Sequence, residues 1–233
     1  MVTFTNNSKI ERIEISNRHY EIDSTNKEVV VILLSGSFEI GPSTFCRKNV
    51  FLGDAEGFYV ANSGIFTIRA PHCAEICVIE HPSTIEVPFT QINNEDTQTK
   101  KAGQGNFERK VITVVDGSSG LKNLIIGETF KQSGNWSSWP PHKHDTYSFG
   151  EESKQKEAYL YKFGNDSGFG LQLLYDTNID DAAIKIVKNN QEVKIEKGYH
   201  PVVASPYSEM YYLWALFGDN SFFKVNYEPE HSV

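Results

Sequence analysis

Apolar and polar residues alternate in short runs along most of this chain. Glu28 to Leu34 is a β-branched, apolar run that Ser35-Gly36-Ser37 interrupts and Phe38-Glu39-Ile40 resumes. Phe58-Tyr59-Val60 leads into Asn62-Ser63-Gly64, after which Ile65 to Ala70 and Ala74 to Glu80 read as two further strands. Runs of Val, Ile and aromatic residues bounded by Gly, Asn and Ser predict strands joined by turns. No segment sustains a 3.6-residue apolar period, so no amphipathic helix is expected. Many short strands at this spacing predict an all-β sandwich or barrel.

The pattern lapses between Pro88 and Gly105. Residues 91–104 are polar, with Ile92 the only large apolar side chain, and predict a linker or an exposed crossing segment. Strand signals resume at Arg109 to Val115; Gly117-Ser118-Ser119-Gly120 reads as a turn and Leu121 to Phe130 as another strand. The expected division is a β unit over 1–90, a linker over 91–105 and a second β unit over 106–233. A chain of 233 residues accommodates two such domains.

Composition narrows the partners. The 15 Phe and 11 Tyr favour strands. A net charge of −8 with no basic cluster disfavours nucleic acid, because phosphate backbones are repelled. An anionic substrate would need a local cation. Cys46, Cys73 and Cys77 match no zinc module and read as free buried thiols. Met1 to Asn7 is polar and lacks a signal-peptide core, and the longest apolar run, Val29 to Leu34, is too short to cross a bilayer. A cytoplasmic protein without a membrane partner is expected.

Candidate chemistry gathers in the second half. In Pro140-Pro141-His142-Lys143-His144-Asp145, strand alternation sends His142 and His144 to one side and Lys143 to the other. Two imidazoles aimed at one point are half of a transition-metal site. Glu157 opens Glu157-Ala158-Tyr159-Leu160-Tyr161-Lys162-Phe163 and shares a face with Tyr159, Tyr161 and Phe163. A carboxylate on such a face points inward and needs a cation or a metal. His200 lies in the turn Gly198-Tyr199-His200-Pro201. His19, His72, His81 and His231 have no comparable context and read as background.

A Gly, an H-x-H pair, a Glu with a Gly seven residues on, and a late Gly-turn with one more His resemble the cupin metal signature; Gly134, His142, His144, Glu157, Gly164 and His200 carry it. The match sharpens over about 105 to 218. Gly105-Asn106-Phe107-Glu108-Arg109, Gly127-Glu128-Thr129-Phe130, Gly134-Asn135-Trp136-Ser137-Ser138-Trp139 through Asp145, Gly168-Phe169-Gly170-Leu171-Gln172 and Lys197-Gly198-Tyr199-His200-Pro201-Val202 resemble the 5-deoxy-glucuronate isomerase family of inositol catabolism. The N-terminal half matches only loosely, around Cys46 to Phe51 and Tyr59-Val60.

This resemblance implies a bicupin of two antiparallel jelly-roll barrels. The first would be structural and the second would hold one divalent metal on His142, His144, Glu157 and His200. Zn or Mn suits the ligand set best, with Fe, Co and Ni also compatible. It implies an aldose–ketose isomerase of a deoxy-uronic acid. Candidates to move the proton are water activated by the metal, a tyrosine of the Tyr159/Tyr161 face, or Glu209. For substrate contact they are Arg109 first, whose fork matches a carboxylate, then Lys143 and Tyr211. Three departures are visible. Lys156 stands where the family often has a second Glu, Glu196 where a Pro is usual, and Trp214 where an Asn is frequent. Glu151 and Glu152 lie in the long segment between His144 and Glu157 as rival carboxylates. Three alternatives remain open: 4-deoxy-5-ketouronate isomerisation, a non-catalytic cupin binding metal and sugar acid, and a metal-dependent dioxygenase. Cupin edges also favour a homo-oligomer.

Overall fold

Residues 1–231 are described by a computed structural model and form two compact units. Met1–Thr97 with Val114–Leu124 makes the first, and Gln98–Thr113 with the chain from Ile125 onward makes the second. The described residues are all-β, relieved only by short 3-10 turns, as the alternating pattern predicts.

The first unit holds β1 (Val2–Thr3), β2 (Lys9–Asp23), β3 (Lys27–Ile40), β4 (Ser43–Arg47), β5 (Glu56–Ala61), β6 (Ile65–Pro82) and β7 (Val87–Gln91). They form one antiparallel sheet in the order β1-β2-β6-β3-β5-β7, with β4 against β3. Ser35-Gly36-Ser37 does not end a strand: β3 runs through it, with register shifts between Leu33 and Ser35 and between Gly36 and Glu39. Gly36 sits at φ +88°, and a Cβ there would lie 2.0 Å from the Cys73 carbonyl oxygen. The glycine marks a bulge where two backbones approach closely. Likewise Ile65 to Ala70 and Ala74 to Glu80 are one strand, β6. The core joins Val29, Val31, Leu33, Phe38, Phe45, Phe58, Ile68, Ile76 and Val78. Glu28 is fully buried and accepts from the Lys122 and Asn123 backbone N–H groups and the Asn123 amide, which ties the returning segment into this unit. All three cysteines are free, but only Cys77 is buried; Cys46 and Cys73 are exposed on strands, contrary to the expected burial.

Apart from the last two residues of β9 and the first of β10, the second unit holds β8 (Gln98–Ala102), β9 (Arg109–Val115), β10 (Leu124–Lys131), β11 (Trp136–Ser137), β12 (His142–Lys143), β13 (Lys156–Phe163), β14 (Phe169–Leu174), β15 (Ala183–Lys188), β16 (Glu192–Ile195), β17 (Val202–Ala204), β18 (Met210–Phe217) and β19 (Asn226–Tyr227). Their sheets run β16-β13-β18-β10-β9-β8 and β11-β17-β14-β15, with β12-β19 as a separate ribbon. β8 falls in the stretch expected to be a linker. An edge strand, exposed along Gln98 to Lys101, needs no apolar face, so its polar sequence hides it. The core of this unit is aromatic: Tyr159, Tyr161, Phe163 and Tyr212 pack with Val187, Val193, Ile195 and Val202.

Candidate metal centre

Each of the three chain segments that meet at the site brings its own reason for the geometry. His142 lies on β12, whose partner β19 places Tyr227 directly opposite it. His144 follows just beyond that strand. Glu157 is the second residue of β13, in register with Leu216 of β18 and Ile195 of β16. His200 sits in the turn that leads into β17. One ligand atom from each of His142, His144 and His200 lies within 4.8 Å of the others.

The imidazoles are oriented by their backs. Nδ1 of His142 lies 3.2 Å from the Pro140 carbonyl, Nδ1 of His144 3.2 Å from that of Gln155, and Nδ1 of His200 2.9 Å from that of Gly198. A carbonyl has no proton to give, so each Nδ1 donates and each Nε2 keeps its lone pair. Glu157 Oε2 lies 3.3 Å from His144 Nε2 and 3.2 Å from His200 Nε2. Glu157 is 5% exposed and His200 not at all. Although close, Glu157 Oε2 and His200 Nε2 have no aligned hydrogen-bond partner. A buried carboxylate oxygen and a buried imidazole lone pair left in this way are costly unless a cation completes them. Three imidazole nitrogens and one carboxylate oxygen are a donor set that a divalent transition metal fits.

The titrations follow from the same packing. Burial would raise the Glu157 carboxyl, but the contacts with His144 and His200 outweigh it and hold it down at about 2. Burial, then the neighbouring His200 and His144, push His142 well below the usual imidazole range. For His144 burial acts downward, and the Glu157 contact turns the net shift upward. Tyr159 is lifted well above the ordinary phenol range, first by burial and then by Glu157.

Of the remaining candidates, the structure brings some to the cluster and not others. The Tyr159 ring lies 6.2 Å from that of His200, and its hydroxyl is 3.0 Å from Ser138 Oγ. Glu209 is placed elsewhere. It is exposed beside Gly164, at the far end of the β13–β18 ladder from Glu157. Tyr211 fails by alternation. Its neighbour Tyr212 faces the aromatic core, whereas Tyr211 donates to Glu128 at 2.8 Å. Lys143 also points away from the imidazoles, into Asp145 at 3.1 Å and Glu152 at 3.0 Å. That accounts for Glu152, whose carboxylate further accepts from the Asp145 and Thr146 N–H groups. Arg109 donates to the Phe107 and Trp139 carbonyls at 3.0 and 3.2 Å.

Sequence reasoning missed several contributors. Asp145 accepts from the Gly198 N–H at 2.6 Å, which joins the H-x-H segment to the turn carrying His200. Gln172 donates to the His200 carbonyl at 2.6 Å. Rings of Phe223 and Tyr227 stand 5.8 Å from His144 and 5.9 Å from His142, edge on. His231, read as background, pairs with buried Glu228, which also accepts from Tyr175. Asp145 was visible beside His144, but only folding reveals its partner.

The sequence profile described as the KduI/IolB family matches residues 8–233. The chain belongs to that family. A relative from Geobacillus thermodenitrificans, named 5-deoxy-glucuronate isomerase, is 34% identical over 90% of this chain and 79% of its own. An IolB-like protein of Salmonella typhimurium LT2 superposes with a TM-score of 0.88 at 26% identity, over 96% of this chain and 88% of the other. An oxalate decarboxylase of Bacillus subtilis, described with Mn(II) centres, matches with a TM-score of 0.60 at 10% identity, over 94% of this chain and 70% of its own. That last likeness shows a cupin-like fold and nothing more. As a KduI/IolB member with relatives named as isomerases, the chain is an enzyme of the isomerase class. None of its described helices is long and apolar enough to cross a membrane.

Proposed function

We propose that this chain interconverts 5-deoxy-glucuronate and 2-deoxy-5-keto-gluconate, an aldose–ketose isomerisation of myo-inositol catabolism, using one divalent metal held by His142, His144, His200 and Glu157. The observation that carries the metal is the convergence of three lone-pair-bearing imidazoles on a buried, incompletely satisfied carboxylate. The names of the family relatives support the substrate. Manganese is favoured by the Mn(II) centres of the decarboxylase of similar fold, and zinc by the nitrogen-rich donor set. We read the two units as the barrels of a bicupin, the first structural. The imidazole triad belongs wholly to the second unit.

The reaction removes a proton from the carbon next to a carbonyl and returns it to the adjacent carbon. The bound metal would supply Lewis acidity, lowering the energy of the enediolate charge that develops on the two substrate oxygens. The protein's own groups orient the site and supply a proton to the substrate oxygen. The carbonyl contacts behind each Nδ1 fix the imidazoles, so little reorganisation is needed when the charge appears. Tyr159 is held in its phenol form by burial. It therefore serves as a proton donor to a substrate oxygen rather than as the base. Phe223 and Tyr227, edge on to two of the imidazoles and half exposed themselves, would line the approach to them.

A panel of 5-deoxy-glucuronate and 4-deoxy-5-ketouronate, assayed for isomerisation on metal-loaded protein, tests the reading. Turnover of the first in preference to the second is expected. Turnover of the second alone would move the assignment to the pectin-derived substrate on the same site. Oxygen consumption without isomerisation would overturn it.

A further inference from the structure

Lys131 ends β10 inside the second unit, 3% exposed. Its Nζ donates to the Val202 carbonyl at 2.9 Å, two residues along the chain from His200. An ammonium has three donors, and this is the single acceptor that Lys131 meets among the described residues. Among the described residues no carboxylate pairs with it. The charged group nearest in effect is another cation: burial first, then the Arg109 guanidinium, push the Lys131 ammonium well below its ordinary range. Arg109 itself meets main-chain carbonyls through one Nη and has no acid partner among the described residues. A buried ammonium and a guanidinium, neither with an acid partner among the described residues, are unfavourable there unless an anion joins them or the lysine gives up its proton.

The surroundings are hydroxylic. Tyr212 Oη lies 2.5 Å from Ser137 Oγ, on the strand residue paired with Val202. The Arg109 charge also acts on Tyr212, opposing the rise that burial imposes. The Tyr212 ring packs 4.6 Å from that of Tyr159, which in turn faces His200. A path of hydroxyl-bearing side chains thus runs from the imidazole cluster to Ser137, whose strand partner Val202 accepts from Lys131 and whose segment continues to Trp139, which accepts from Arg109. Hydroxyl groups at the near end and paired cations at the far end suit a polyhydroxylated acid.

We propose that Lys131 and Arg109 form the anchor for the substrate's carboxylate, with Lys131 the residue that selects an acid over a neutral sugar. The inference deepens the deoxy-uronate reading and rests on it. The carboxylate would take the two free Lys131 N–H donors and the unused edge of the Arg109 fork, and would neutralise both charges.

The test uses the metal-loaded protein, with Lys131→Met and Lys131→Arg variants. Two ligand pairs are needed. Steady-state kinetics compare 5-deoxy-glucuronate with the neutral 5-deoxy-glucose. Calorimetry compares D-glucuronate with D-glucuronamide, independently of turnover. Expected for Lys131→Met is a KM for the acid raised roughly tenfold or more, as loss of a charge-assisted contact implies, with the neutral sugar and the metal content unchanged. Lys131→Arg, which keeps the charge, should retain most of the preference for glucuronate over its amide and guards against a Met variant that fails to fold. Equal binding of acid and amide by the wild type, or an equal loss for both in Lys131→Met, would overturn the anchor and leave Lys131 a packing residue. Lys131-dependent glucuronate binding without isomerisation would keep the anchor and refute the isomerase reading. Isomerisation with an unchanged KM in Lys131→Met would do the reverse.

Discussion

Glu157 holds the site's electrostatics together, since among the described residues its carboxylate is the one negative charge that meets the imidazoles. Glu157→Gln should lower metal affinity by about a hundredfold or more, a larger loss than removal of an outer-shell partner, read by competitive titration with a chelating dye. Protons compete for the same atoms. With His144 shifted upward from 6.5 and only the neutral imidazole able to ligate, affinity should fall as pH drops, beginning above 6.5. A metal affinity flat between pH 5 and 8 would contradict the assignment. Tyr159→Phe should keep the metal and lower kcat by roughly a hundredfold, the lower end of acid–base contributions; unchanged kcat would assign Tyr159 to packing. At this scale the sequence was informative where alternation decides direction. It placed His142 with His144, Lys143 apart, and Glu157 with Tyr159. It failed for Tyr211, where the same alternation sends the side chain to Glu128, and for Glu209, whose distance from Glu157 is set by strand register. Lys131 was invisible because a lone lysine at a strand end reads as solvated.

Elements matter at the site chiefly through the contacts that align them. The Asp145 carboxylate links the H-x-H segment to the Gly198 N–H, and Gly198 in turn accepts from His200. Glu152 collects Lys143, two backbone N–H groups and Asn226, which lies on β19 opposite β12. Asp145→Ala should therefore cost about 10–100-fold in metal affinity without touching a ligand. An affinity equal to wild type would mean that the turn holds His200 unaided. In the other unit, Gly36→Ala would place a methyl against the Cys73 carbonyl at a positive φ. It should lower stability by more than ~1 kcal/mol, read by thermal melting. From sequence alone Gly36 reads as a turn, because a bulge and a turn share the same residue types; only the pairing of β3 with β6 tells them apart. Trp214 shows a local accommodation of the same kind. A Cβ on Gly127 would fall 2.1 Å from its ring, so the glycine leaves room for the indole.

Across the whole molecule, the alternating pattern was enough for the all-β class, since aromatic and β-branched runs at short spacing leave few other outcomes. Units were harder to delimit. Residues 114–124 return to the first unit through Glu28, a contact between positions some 95 apart in sequence. No local signal announces such a return. Edge strand β8 was hidden for the opposite reason, its polar residues being those of a loop. The central claim is that a metal at the imidazole cluster carries an isomerase reaction. The most direct test is metal content by mass spectrometry on the purified chain and on His144→Ala, each followed by a 5-deoxy-glucuronate isomerisation assay. The account predicts about one divalent metal per chain, lost together with turnover in the variant. Undiminished isomerisation by a metal-free wild type, or by a His144→Ala protein without metal, would contradict it.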